Sequence, residues 1–224
     1  HGCDWSSDVC SYDLFGPELA RKGFVILAPD SICFEERRKN AQGIVPLPGD
    51  EDFFQHLNEM CYRILKGDNL MKKVLLDAMN GVTLLSELTF TDNKKIGTLG
   101  HSYGGNTVLF LSALDERICF SCASGSACTY ENRMLNDVGI ELSSVIPCFN
   151  KSYDIFDLVH CIAPRPLLIV SADEDKYSRD ADFIVEQARP SYAKYGADNK
   201  LCHKRYNGGH GLTKERFEYI IEWL

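Results

Sequence analysis

Short apolar runs alternate along this chain with stretches whose apolar residues recur at helical spacing. Phe24 to Leu27, Lys95 to Leu99, Ile118 to Ala123, Pro166 to Ser171 and Leu201 to Tyr206 read as strands. Met71, Val74, Leu75, Ala78, Val82 and Leu85 share one face of a helix, and Phe217, Ile220, Ile221 and Leu224 share a face of the last one. Pro17 at a helix start and Gly23 just after Lys22 bracket a shorter helix. Strands alternating with helices predict an α/β fold in which a mostly parallel sheet is covered on both faces. Two longer irregular regions, Ser31 to Asp50 and Thr129 to Asp157, follow strand ends on the side where such sheets bind ligands, and are candidate pocket walls or lids, with ordinary surface excursions as the alternative reading.

Composition narrows the class of partner. At 224 residues and 45% hydrophobic the chain can bury one sizeable core, and no Pro/Gly/Ser-rich linker divides it. A net charge of -8 with no basic run argues against nucleic acid and against an anionic membrane surface. No apolar run reaches membrane-spanning length, and a cytoplasmic location is expected. The 10 cysteines fall short of disulfide-scaffold density and lie mostly in apolar surroundings, as in Ile118-Cys119-Phe120, so reduced thiols are expected. Cys119 and Cys122 have C-x-x-C spacing with Cys128 nearby, but they fall on a predicted buried strand, so no metal is expected.

The candidate chemistry centres on Gly100-His101-Ser102-Tyr103-Gly104-Gly105, between the strand ending at Leu99 and a helix-like run from Asn106 to Leu114. A serine on so tight a strand-to-helix turn needs glycines at its flanks and projects its hydroxyl from the sheet edge. A serine hydroxyl is a poor nucleophile at neutral pH. It needs an imidazole to take its proton and a carboxylate to hold that imidazole in the right tautomer. His210 is the candidate base, in the glycine-rich loop Asn207-Gly208-Gly209-His210-Gly211 after the last strand; its competitor His203 lies inside the strand pattern. For the acid, Asp173, Glu174 and Asp175 compete in the turn after Val170. Asp175 lies furthest past the strand, where a turn can aim it at the next loop. His101 is expected to pack at the strand end, Asp30 to cap its loop, and Glu35, Glu36, Arg37 and Arg38 to form a solvated charge run.

Four pieces, LARKGFVILAPDSICFEERR, KKIGTLGHSYGGNTVLFLSALDERI, IAPRPLLIVSADEDKYS and YNGGHGLTKERFEYIIEWL, occur in an order that resembles the α/β-hydrolase superfamily. The branch they resemble joins dienelactone hydrolases, acetyl xylan esterases and prolyl oligopeptidases. The resemblance implies a three-layer α/β-hydrolase fold over residues 15 to 224 and a serine hydrolase acting on a small-molecule carboxylic ester. It implies Ser102 as nucleophile, Asp175 as orienting acid, His210 as general base and the Tyr103 backbone N–H as an oxyanion-hole donor, with no cofactor. A prolyl-oligopeptidase-type peptidase is the rival enzyme, and a non-catalytic binding protein of the same fold the rival of another class. His1-Gly2 imitates the family's other oxyanion motif, which makes Gly2 a second candidate donor.

Residues Cys3 to Leu14, CDWSSDVCSYDL, lack apolar periodicity and resemble translated sequencing-adapter read-through, so residues 1 to 14 are expected to be non-native. Phe24 to Leu27 then matches the family's fourth strand and Lys95 to Leu99 its fifth. The expectation is an N-terminally truncated fold whose early strands are missing, and an inactive fragment.

Overall fold

The computed structural model describes residues 12–38 and 52–224. The described residues form a sheet of four parallel strands, β1 (Gly97–His101), β2 (Phe120–Ser124), β3 (Leu167–Ala172) and β4 (Leu201–Tyr206), in the spatial order β1-β2-β3-β4. Leu99 pairs with Cys122, Cys122 with Leu168 and Leu168 with Cys202, which aligns all the strand ends at one edge.

The helices are α1 (Tyr12–Arg21), α2 (Asp52–Leu65), α3 (Leu70–Glu87), α4 (Tyr103–Leu114), α5 (Tyr130–Leu135), α6 (Ile155–Ile162), α7 (Ala181–Lys194) and α8 (Lys214–Trp223). Because every parallel step advances in one direction, right-handed crossovers place the connecting helices on a single face. Val108 and Leu109 of α4, Val159 and Ile162 of α6, and Ile184 of α7 accordingly meet Ala123, Leu167 and Ile169 in the larger core. Alternate strand residues Cys122, Leu168 and Val170 point the other way, onto Leu212 and Ile220, with Phe15 and Trp223 packed around them. The chain therefore folds as the parallel sheet covered on both faces that its strand and helix pattern predicts, in the three layers that the α/β-hydrolase resemblance implies.

Local signals account for most of these elements. The α3 stripe buries Met71, Val74, Leu75 and Val82, and Asn69 caps its first turn by accepting the Lys72 N–H at 2.8 Å. Thr213 opens α8, which buries Ile220 and Ile221. Asp154 and Asp157 form a reciprocal capping box at the start of α6.

Several expectations need correction. Residues 24–30 adopt neither helix nor strand, and Val25, Ile26 and Leu27 stay 37–42% exposed. Apolar β-formers make a strand only where a neighbour completes the hydrogen-bond ladder, and none of the described strands lies alongside them. The strands expected from Lys95 and Ile118 begin instead at Gly97 and Phe120, the first pair in register, and the one expected from Pro166 begins at Leu167. Pro17 lies inside α1 and not at its start, since its fixed φ suits a helix at the cost of one backbone bond. The region Thr129 to Asp157 is largely helical turns, and α2 forms just after the other irregular region, of which residues 39–50 lie outside the described residues. Among the described residues no helix is long and apolar enough to cross a membrane.

Candidate active site

Ser102 occupies the turn between β1 and α4 with φ +56°, a left-handed backbone that a non-glycine residue rarely adopts. The turn is held from both sides. The Ser102 N–H donates to the Ser124 carbonyl at 2.8 Å, and the Ser102 carbonyl accepts the Asn106 N–H at 3.1 Å. A Cβ on Gly100 would lie 2.3 Å from the Gly104 backbone, and one on Gly105 would lie 2.3 Å from the Ser126 hydroxyl. Gly104, by contrast, has no atom of the described residues within 4 Å of that position. The close approach thus requires Gly100 and Gly105, and the expectation that Gly104 is needed on the same ground is corrected.

His210 is delivered by the loop between β4 and α8. Its Nε2 lies 2.7 Å from the Ser102 Oγ, and its Nδ1 lies 3.0 Å from the Asp175 Oδ1. A carboxylate can only accept, so Nδ1 carries the proton and Nε2 is left to accept from the serine hydroxyl. Asp175 is 2% exposed. Burial alone would raise its pKa, yet hydrogen bonds from the His210 ring, the Ser178 hydroxyl and the Tyr177 N–H outweigh it and hold the carboxyl below its ordinary value. Asp173 takes a different place. Its Oδ1 accepts the Gly208 N–H at 2.7 Å, and the Glu174 N–H donates to the Gly208 carbonyl at 3.1 Å.

His101 lies beneath this array, its Nδ1 2.9 Å from the Ser124 Oγ and its ring 5.0 Å from that of His210. Burial first, and the charge His210 can carry second, pull its pKa down to about 4, so it is neutral near pH 7. Gly125, at φ +60°, makes room for both imidazoles, since a Cβ there would come within 2.7 Å of His101 and 3.2 Å of His210. Tyr103, the first residue of α4, has a backbone N–H with no carbonyl four residues back to bond within the helix. Its side chain turns away, and the hydroxyl meets Ser31 at 2.8 Å. Gly2 lies outside the described residues.

The remaining candidates have structural partners. His203 is 2.8 Å from the Ser171 hydroxyl through Nε2 and 3.2 Å from Asp182 through Nδ1. Asp30 accepts the Glu36 N–H at 3.3 Å. Arg37 is not simply solvated, as it reaches the Asp30 carbonyl and Asp77 at 3.0 and 2.7 Å. Cys122 is buried on β2, where burial raises its thiol pKa, and the Cys119 thiol donates to the Lys94 carbonyl at 3.0 Å. Among the described residues no group of three His, Cys, Asp or Glu side chains could hold a metal ion.

Two contributors escaped the sequence reading. Ser178 donates to the Asp175 Oδ2 at 2.7 Å, and the Tyr177 ring stands edge-on to His210 with centroids 4.9 Å apart. An amide two positions and a hydroxyl three positions after an Asp close a side-chain turn, and the hydroxyl of Ser178 at that spacing is a signal that marks Asp175 over Asp173. The ring contact has no such local signal.

Fold and site together define the class, an α/β hydrolase. The chain belongs to the prolyl oligopeptidase family, whose profile matches residues 61–177. It is 23% identical over 227 residues to the candidate hydrolase YtaP of Bacillus subtilis (strain 168), covering 97% of this chain and 71% of YtaP. It is 28% identical over 150 residues to the carbohydrate esterase MZ0003 of an unknown prokaryotic organism, covering 59% and 35%. Among solved structures, a candidate acetyl xylan esterase from Bacteroides fragilis NCTC 9343 superposes with a TM-score of 0.69 at 17% identity, over 85% of this chain and 49% of that one. A promiscuous CE15 esterase from a marine bacterial metagenome superposes with a TM-score of 0.58 at 22% identity, over 68% and 47%. The chain thus spans about half the length of these solved structures.

Proposed function

We propose that the protein is a serine hydrolase cleaving a small-molecule carboxylic ester through an acyl-enzyme. Ser102 attacks the ester carbonyl while His210 takes its proton. Asp175 holds the imidazole in the productive tautomer and stabilises its charged form, and the Tyr103 N–H donates to the developing oxyanion. His210 then protonates the leaving alcohol, and water attacks the acyl group by the reverse proton path. The supporting observation is the continuous hydrogen-bond line from the Ser102 Oγ through His210 to Asp175, at 2.7 and 3.0 Å. Because relatives and neighbours carry the names of carbohydrate and acetyl xylan esterases, esters borne on carbohydrate are the first substrates to offer.

Labelling by a fluorophosphonate, lost in Ser102→Ala, tests the nucleophile. Turnover of p-nitrophenyl esters of rising acyl length, set beside a proline-anilide peptide, separates an esterase from a peptidase. Absence of labelling in the wild-type protein at its full natural length would remove the serine-hydrolase reading in favour of a binding protein.

A further inference from the structure

The loop that carries His210 contains Gly208, Gly209 and Gly211, a composition that leaves its backbone with wide conformational freedom. An imidazole that must stay within hydrogen-bond reach of two partners cannot ride on a loose loop, and one side chain fastens it. Arg216, on the first turn of α8, is 4% exposed. Its Nη1 donates to the carbonyls of Gly209 and Gly211, the residues on either side of His210, at 2.8 and 2.5 Å. Its Nη2 donates to the Asn207 carbonyl at 3.1 Å, and the guanidinium lies over the Tyr206 ring, 5.6 Å from its centroid.

No carboxylate of the described residues forms an ion pair with this buried cation, and its Nε–H is buried without a partner. A group so placed is a costly way to hold a helix to a sheet, where an apolar side chain would serve better. What it supplies is three charge-assisted bonds converging on alternate carbonyls of one loop, a geometry that a planar fork can make and a single ammonium cannot.

We propose that Arg216 is a positioning residue that fixes the backbone on both sides of His210 and so holds the imidazole between Ser102 and Asp175. This rests on the hydrolase reading above for its kinetic consequence, but not for its structural one. The test uses the whole chain with Arg216→Ala and Arg216→Lys, each checked for folding by near-ultraviolet circular dichroism. Two readouts are taken: the rate of fluorophosphonate labelling, and the exchange protection of the His210 Nδ1 proton by NMR with nitrogen-labelled histidine.

In folded Arg216→Ala the labelling rate should fall by about 10²-fold, the scale set by an ångström of misplacement, and the Nδ1 proton signal should be lost to exchange. Added guanidinium ion should restore at least part of both, which a general loss of stability would not allow. Arg216→Lys, able to reach fewer carbonyls, should fall between; it decides the matter if the alanine variant does not fold. Labelling within about twofold of wild type together with a protected proton, in either folded variant, would overturn the proposal. If the wild type is not labelled at all, the hydrolase reading fails, and the proton signal alone still decides whether Arg216 holds the ring.

Discussion

The Asp173 carboxylate accepts the Gly208 N–H at 2.7 Å, so the loop bearing His210 is tied to the same turn that presents Asp175 to its ring. Two acids two positions apart thereby do different work, one on a backbone and one on an imidazole. Asp175→Asn should cut kcat for ester hydrolysis by about 10³-fold or more, because the amide favours the wrong tautomer of His210. Asp173→Asn, whose amide oxygen can still accept from Gly208, should cost far less. Comparing kcat for the pair checks the assignment, and the reverse ranking would transfer the orienting role to Asp173.

The proposed chemistry makes Ser102 and His210 a unit, so in the full-length protein Ser102→Ala and His210→Ala should each lower turnover by roughly 10⁶-fold, and the double variant little further. Thermal unfolding should barely change. A Ser102→Ala variant that keeps kcat within about tenfold of wild type would be incompatible with the proposed chemistry.

The glycines around Ser102 should separate sharply. Gly104→Ala has open space and should alter stability by well under 1 kcal/mol, whereas Gly100→Ala and Gly105→Ala force contacts of 2.3 Å and should cost about 1–3 kcal/mol or more. Urea unfolding midpoints of the three variants give the comparison. Equal tolerance at all three positions would mean that the turn is looser than these distances require.

His101 ties stability to pH. Its folded pKa is about 4 against an ordinary 6.5, so below pH 6.5 the unfolded chain takes up a proton that the folded chain refuses. Stability should fall as pH drops from about 6.5 to about 4, by up to about 3 kcal/mol from this residue, and the contribution should level off below that. Asp175, whose pKa is lowered, loses its contribution only at lower pH, as it is protonated through its folded value. His203 is shifted in the same direction as His101, so the test is the difference between wild type and His101→Asn. Parallel stability curves for the two between pH 6.5 and 4 would refute the assignment.

Periodicity and turn chemistry carried a good deal of this molecule. The α3 stripe, the β4 strand from Leu201 to Tyr206, the Ser102 turn with its tight Gly100 and the glycine loop of His210 were all legible in residue order, since each depends on neighbours a few positions away. Other features depend on partners distant in the chain. Phe24 to Leu27 has the composition of a strand, and only the absence of an adjacent described strand denies it a ladder. Asp175 is favoured over Asp173 by its place in the turn, but only the fold brings it the ring of His210, 35 residues on. Arg216 looks like one more surface charge on an amphipathic helix, until the fold turns α8 beneath the loop and gives its guanidinium three carbonyls. Residue order determined which groups were available and the local shapes that could carry them. Tertiary packing alone decided which of them met, because a hydrogen bond forms over about 3 Å whatever the distance along the chain.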